Sequence, residues 1–491
     1  MVSHAIPDRS IRLLRRVSAV MQYQYNVKRS DNVAFSIKSG DADMTHGSIS
    51  SELLKFAIPM AIGLLFQQLY NTVDAMVVGQ YVGKAALAAV GSTASIINML
   101  IGLFAGLSTG AGVVISQAYG AKADKRLSEA VQTTITLTFI LSAIATIIGI
   151  LIVDPMLRLM DTPEDVLPEA KAYLTICFAG STGLLFYNMG SGILRAVGDS
   201  RRPLYFLCFA AIVNVVFDLL FVVGFRMGVE GAAYATIISE FLSALLVMYV
   251  LTKTDAPYAI KWKSLSLHFS AVKQIFSIGF PSSIQQALTS FSNVFVQSYI
   301  NFFQTDCMAG YSSYNKLDAF ILIPVQSLAL ASSTFVGQNY GAGQLKRGRD
   351  GVKKTLYMSI IVTAALTVLT MIFSGPLLSL FNDDPGVIEY GKKFVLIISP
   401  FYVTICFNQV FAGALRGIGR STAPMIIMLS SFVAFRQLFL YCNKVFFGHS
   451  FIGTALAYPM GWVVCSILMI ICYKRSALGK ASDDSAGAVA K

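Results

Sequence analysis

Residues Ser116–Arg126 read SQAYGAKADKR, and residues Gly337–Arg347 read GQNYGAGQLKR. Gln117 matches Gln338, Tyr119 matches Tyr340, Gly120 matches Gly341, and Lys125 and Arg126 match Lys346 and Arg347, always 221 positions apart. The same offset joins GILRAVGDSRRPL (Gly192–Leu204) to GALRGIGRSTAPM (Gly413–Met425), placing Arg195 on Arg416, Gly198 on Gly419 and Pro203 on Pro424. It also joins DPMLRLMDTP (Asp154–Pro163) to GPLLSLFNDD (Gly375–Asp384). Pro59 and Pro281 pair at an offset of 222, which requires one single-residue indel. Matches that recur at one spacing mark a duplicated structural unit. The chain therefore reads as two related halves.

The unit is a bundle of membrane helices. Of 491 residues, 55% are hydrophobic and 13% charged, with mean hydropathy +0.64. A soluble domain carries about 25% charge. A helix crosses the hydrocarbon core with about 20 mainly apolar residues. Twelve such stretches are expected at 53–79, 87–116, 130–153, 170–195, 203–225, 231–252, 274–301, 308–336, 353–380, 390–415, 422–447 and 451–473. These runs are continuous, unlike the short alternating strands of a membrane barrel. Equivalent points lie six spans apart. An even number preserves orientation, so the repeats are parallel, about an axis along the membrane normal. The expected fold is an all-α membrane protein of twelve transmembrane helices in two six-helix repeats. Its parts are an N-terminal extension (1–50), a first lobe (51–253), a linker (254–273), a second lobe (274–475) and a tail (476–491).

The connections alternate in charge. One set holds Lys122, Lys125 and Arg126; Arg195, Arg201 and Arg202; Lys253, Lys261, Lys263 and Lys273; Lys346, Arg347, Arg349, Lys353 and Lys354; Arg416 and Arg420; and Lys474, Arg475 and Lys480. The other set is poorer in bases and gathers acids such as Asp161, Glu164, Asp165, Asp383 and Asp384. The positive-inside rule puts the basic set in the cytoplasm, and both termini with it. This explains the net charge of +12 without invoking nucleic acid. In residues 1–50, Leu13, Val17, Val20 and Met21 share a helical face beside Arg9, Arg12, Arg15 and Arg16. A short interfacial helix, disorder, or a start at Met44 are the readings of this segment.

Other chemistries find little footing. The seven cysteines form no CxxC pair and read as small buried apolar residues. The four histidines are scattered. Gly79–Lys84 is one residue short of a phosphate loop, and Ala85 stands where Ser or Thr belongs. An enzyme, a bound cofactor or ATP-driven transport is not expected.

The run IPMAIGLLFQQLYNTVDAMVVGQ (Ile58–Gln80), the QAYGA and QNYGA turns, and the paired LRAVGDSRRP and LRGIGRSTAP segments resemble the multidrug and toxic compound extrusion (MATE) family, in its DinF/MepA-like branch. The resemblance covers roughly residues 50–475. It implies two six-helix lobes in a V and export of organic, often cationic, compounds against inward H⁺ or Na⁺. Its partners would be a small-molecule substrate and the bilayer of the inner or plasma membrane, with the chain acting as a monomer. The wider superfamily includes lipid-linked precursor flippases, which stand as the alternative reading.

Charges inside the spans sharpen this. An ionisable residue at the bilayer centre costs at least about 2.5–3.5 kcal/mol on insertion scales, so it faces a cavity or a partner. The first half has Asp74, Asp218 and Glu240 in its first, fifth and sixth spans. Asn71 and Asp74 share a face at i,i+3, and Asn214 and Asp218 at i,i+4. The resemblance implies a coupling-cation site on Asp74, Asn188, Asn214, Asp218 and Thr236, with Tyr173 beside it and Glu240 as a further titratable candidate. Carboxylate, amide and hydroxyl oxygens suit a proton or a dehydrated Na⁺ alike.

The second half lacks acids at the matching positions. Ser282–Gln297 read SSIQQALTSFSNVFVQ, and Gln285, Gln286 and Asn408 replace the acids of another family branch. It has Lys316, Asp318 and Arg436 instead. Asp318 is expected to pair with Arg436 or to line the cavity. Candidates for the substrate cavity are Phe66, Gln67, Tyr70, Met99, Tyr187, Met189, Phe291 and Tyr314. Pro59 and Pro281 are candidates for helix bending, since proline removes a ladder hydrogen bond.

Overall fold

The computed structural model describes residues 43–82, 84–159, 162–164 and 166–480. The candidate interfacial helix and residues 481–491 lie outside these. Twelve rods follow in chain order: α1 (Ile49–Tyr81), α2 (Lys84–Gly120), α3 (Asp124–Leu159), α4 (Leu167–Ala179 and Ser181–Ala196), α5 (Arg201–Gly224) and α6 (Gly228–Lys253) in the first lobe. The second lobe has α7 (Phe269–Asn301), α8 (Gln304–Gly341), α9 (Leu345–Ile372), α10 (Pro385–Gly417), α11 (Thr422–Phe446) and α12 (Phe451–Arg475). Ten of the rods are long and apolar enough to cross a membrane by length and composition alone. The others are α4, interrupted at Gly180, and α7, which carries Ser282, Ser283, Gln285, Gln286, Ser292 and Asn293. Several rods overrun their expected spans by a turn or more, while α9 stops at Ile372 before a short helix, Ser374–Leu378.

The repeated glycines end helices. Gly198 (φ 91°) and Gly419 (φ 83°) take left-handed backbone after α4 and α10. Their N–H groups donate to the carbonyls of Arg195 and Arg416, and the next N–H groups donate to Leu194 and Leu415. This is the left-handed C-terminal cap that a side chain would strain. The breaks inside α4 and α10 are also repeat mates. Gly180 lies 221 positions before Phe401, which ends the 3-10 turn Ser399–Phe401. A Cβ on Gly180 would lie 2.2 Å from Ile237 Cγ2 of α6, so close packing requires the glycine. Pro59 and Pro281 sit inside α1 and α7 without ending either helix.

Two π turns break the symmetry. Leu219–Gly224 follows Asp218 in α5, whereas Ser430–Phe435 precedes Arg436 in α11. Such turns cluster at functional sites because they re-aim neighbouring side chains.

The lobes are joined at the end carrying the basic turns. Gln117 Nε2 donates to Gly417 O at 2.8 Å, and Gln338 Nε2 donates to Ala196 O at 2.9 Å. Donors and acceptors are both repeat mates, so each lobe caps a helix of the other. A Cβ on Gly120 would meet Gln338 O at 1.9 Å, and one on Gly341 would meet Gln117 O at 2.0 Å. The repeated glycines thus let the two turns touch.

Lead-in segments also cross between lobes. Met44, fully buried, donates its N–H to Gln338 Oε1, and Arg347 donates to the carbonyls of Met44, His46 and Gly47. Residues 43–48 are therefore pinned to the second lobe, and the expected loose extension does not reach 50. The linker ends at His268, whose N–H donates to Thr133 Oγ1, while Tyr258 is buried in the first-lobe core. Leu478 closes the second-lobe core, so the start of the tail is packed as well. On the outside, Ile147 and Leu151 of α3 and Ile361 and Ile372 of α9 stand exposed, an apolar surface suited to lipid.

Candidate functional site

The α-helical part of α5 places Asn214 and Asp218 on one face, and both are buried. Asp74 on α1 meets Asp218 within hydrogen-bonding reach of the two carboxyls. Asn214 Nδ2 donates to Thr236 Oγ1 of α6 at 3.5 Å, and Thr236 donates to Ala232 O. Four buried oxygens here have no donor among the described residues: Asp74 Oδ1, Asn214 Oδ1 and both carboxylate oxygens of Asp218. Buried acceptors without donors are costly. Two facing carboxylates repel unless a proton or a cation lies between them. The arrangement has the chemistry to accept one or the other.

Tyr173, buried on α4, lies within electrostatic range of Asp74, Asp218 and Glu240. Glu240 sits one turn beyond Thr236 and interacts in the same way with Tyr70 and Cys177. Glu240 thus borders the same polar network, and Cys177 is a neighbour that sequence reading missed. Asn188 is different. Its amide donates to Leu184 O of its own helix at 2.8 Å, and among the described residues no hydrogen bond ties it to the acids. An amide that bonds its own i−4 carbonyl is satisfied locally.

The second lobe corrects several expectations. Asp318 does not pair with Arg436. Its Oδ1 accepts from Tyr402 at 2.5 Å and from Tyr314 at 3.3 Å. Arg436, buried, donates to Ser292 Oγ at 2.7 Å and Asn293 Oδ1 at 2.9 Å, with its guanidinium 4.8 Å from the Tyr458 ring centroid. Tyr458 in turn hydrogen bonds to Tyr311. Lys316 points away from Asp318, exposed and 5.3 Å from the Phe381 centroid. Asn293 is the mate of Asn71 on α1. The lobe that lacks the acid pair thus puts a cation between α7 and α11. Gln285 donates to Met428 Sδ, and Asn408 to Trp462 O.

Of the substrate-cavity candidates, Phe66, Met99 and Phe291 are exposed and Gln67, Tyr70 and Tyr187 half-buried. Met189 and Tyr314 are not cavity residues in this conformation. Met189 packs in the first-lobe core and Tyr314 in a second-lobe cluster, each nearly without exposed surface. Tyr187 donates to Pro203 O.

Comparisons with known proteins agree with this architecture. The family model described as MatE matches residues 59–220 and 281–441, one segment per lobe, starting at the mates Pro59 and Pro281. A Bacillus subtilis (strain 168) protein named probable multidrug resistance protein YpnP is 28% identical over 88% of this chain and 97% of its own length. A Shewanella oneidensis protein named FAD transporter is 26% identical, over 79% and 87% of the two chains. A solved structure described as the outward-facing conformation of a multidrug resistance MATE family transporter of the MOP superfamily has TM-score 0.84 and 25% identity, covering 90% of this chain and all of that one.

Proposed function

The chain belongs to the MatE family, and from that premise we propose that it is a secondary antiporter. It exports organic small molecules, cationic or amphiphilic, across the cell membrane in exchange for inward H⁺ or Na⁺. The observation that carries this reading is the set of four donor-less buried oxygens on Asp74, Asn214 and Asp218. They lie on α1 and α5, so a bound ion draws two helices together and its release lets them part. Thr236 and Tyr173 frame the same site from α6 and α4.

The positive-inside rule places the latched end in the cytoplasm. The engaged Gln117 and Gln338 support reading this conformation as closed on that side and open outward. Ion binding from outside favours cargo release. Ion discharge inside resets the protein. A membrane potential supplies about 2.3 kcal/mol per charge per 100 mV, enough to drive export uphill.

Everted vesicles containing the protein, given a fluorescent organic cation, test the reading. Imposed H⁺ or Na⁺ gradients, applied in turn, should drive uptake through one of the two ions. Asp74→Asn and Asp218→Asn should each reduce that uptake at least tenfold. Uptake that ignores both gradients, with Asp74→Asn equal to the parent, would remove the coupling model.

A further inference from the structure

We propose that the floor of the cleft between the lobes holds an oxyanion site centred on Arg195. A cavity of about 40 Å³, open on one side, lies there beside the latch. Its walls include Thr109 and Leu330, Gly112 and Ser333, and Val113 and Thr334, three pairs of repeat mates. A cavity lined by mates lies on the pseudo-two-fold axis. Its walls come from both lobes and separate when the lobes rock.

The chemistry of the lining is one-sided. Arg195, in the last turn of α4, lines it from the first lobe, and no Asp or Glu does. Among the described residues the Arg195 side chain has no ion pair and no hydrogen bond, and its titratable neighbour is the Tyr187 phenol. Thr109 and Ser116 donate their hydroxyls to the carbonyls of Ala105 and Val113. Ser333 and Thr334, on α8 of the other lobe, have hydroxyls without a hydrogen-bond partner among the described residues. The half-buried Arg195 guanidinium lacks a counter-ion, and its planar fork of donors matches a carboxylate or phosphate. Two free hydroxyl donors across the axis complete a cradle for such a group.

The ligand is therefore an organic molecule whose head is a phosphate or carboxylate. It contacts both lobes at the floor, apart from the coupling ion at the first-lobe acids. Calling it cargo rests on the export reading, but its binding does not. The structural rival is that Arg195 only neutralises the C-terminal dipole of α4, as Arg416 does for α10.

The test uses the purified full chain in a non-ionic detergent. Phenylglyoxal modification of the Arg195 peptide is followed by mass spectrometry with decyl phosphate, decanol or inorganic phosphate present. Decyl phosphate should slow modification of Arg195 at least tenfold and leave exposed Arg420 unchanged, and decanol should do neither. Protection by inorganic phosphate as well would identify a free oxyanion as sufficient; protection by decyl phosphate alone would identify an amphiphile. Both uphold the site. Thr334→Val and Ser333→Ala, which leave the helix dipole intact, should each weaken protection about fivefold. Equal modification rates with and without decyl phosphate, or undiminished protection in both variants, would overturn the proposal. Absent vesicle transport alongside intact protection would remove the export reading and leave the site standing.

Discussion

At the scale of single residues, the first-lobe acids make an unusual demand. Asp218 is fully buried with both oxygens lacking a donor. Asp218→Asn puts an amide donor opposite Asp74. It should stabilise the protein by about 1 kcal/mol, a typical net hydrogen bond, while abolishing coupled uptake. Detergent thermal unfolding beside vesicle flux checks both signs at once. In the second lobe, Tyr402→Phe takes a donor from the Asp318 carboxylate. The expected cost is about 1–3 kcal/mol, read in the same unfolding assay. Asp74 and Asp218 could be picked from sequence because a charge in an apolar run is conspicuous by itself, and Asn214 because it shares a helix face with Asp218 at i,i+4. Tyr402, Tyr311 and Ser292 could not. Their hydroxyls matter only through partners 84 to 147 positions away, and tyrosine or serine in a membrane span is ordinary.

At the scale of elements, the two seams between lobes differ. Gly102, Gly106 and Gly110 stand at every fourth position of α2 and receive α7 closely. A Cβ at Gly106 would lie 2.3 Å from Ser283 N, and one at Gly110 would lie 2.6 Å from Gly279 Cα. Ser283 donates to Leu103 O at 2.6 Å across this seam. Small residues let membrane helices approach to backbone contact. Their mates on α8 are Ile323, Ser327 and Ala331, so α1 meets α8 across larger side chains. Gly106→Ala should cost about 1–3 kcal/mol as overpacking, measured by unfolding in detergent. Pro59 lies about four turns before Asp74 in a continuous α1. If α1 bends there during the cycle, Pro59→Ala should slow exchange without changing ion affinity, and unchanged transport would exclude the bend.

For the whole molecule, the reciprocal glutamines bond the two lobes together at one end. Each latch bond is worth about 0.5–1.5 kcal/mol. Gln117→Ala with Gln338→Ala should therefore shift the balance between end-states by about 1–3 kcal/mol, roughly 5- to 150-fold. Hydrogen exchange at residues 116–120 and 337–341 would report it as faster amide exchange, and an unchanged rate would show that the glycine contacts alone hold the latch.

The sequence by itself determined the membrane class, the duplication, the helix count and the acids of the first lobe. Each of these follows from local composition or from a repeat at constant spacing, which need no knowledge of what touches what. The tertiary structure decided the rest. It separated Asp318 from Arg436, turned Asn188 back to its own helix, and withdrew Met189 and Tyr314 into the cores. It also pinned Met44 to the opposite lobe. A polar residue takes whichever partner the packing brings nearest, and on these crossed helices that partner is set by interlobe and interhelix contacts rather than by neighbours in the chain. The QAYGA and QNYGA turns show both sides of this. Their likeness revealed the two halves, and their contact, Gln117 on Gly417 and Gln338 on Ala196, joins those halves at the latched end.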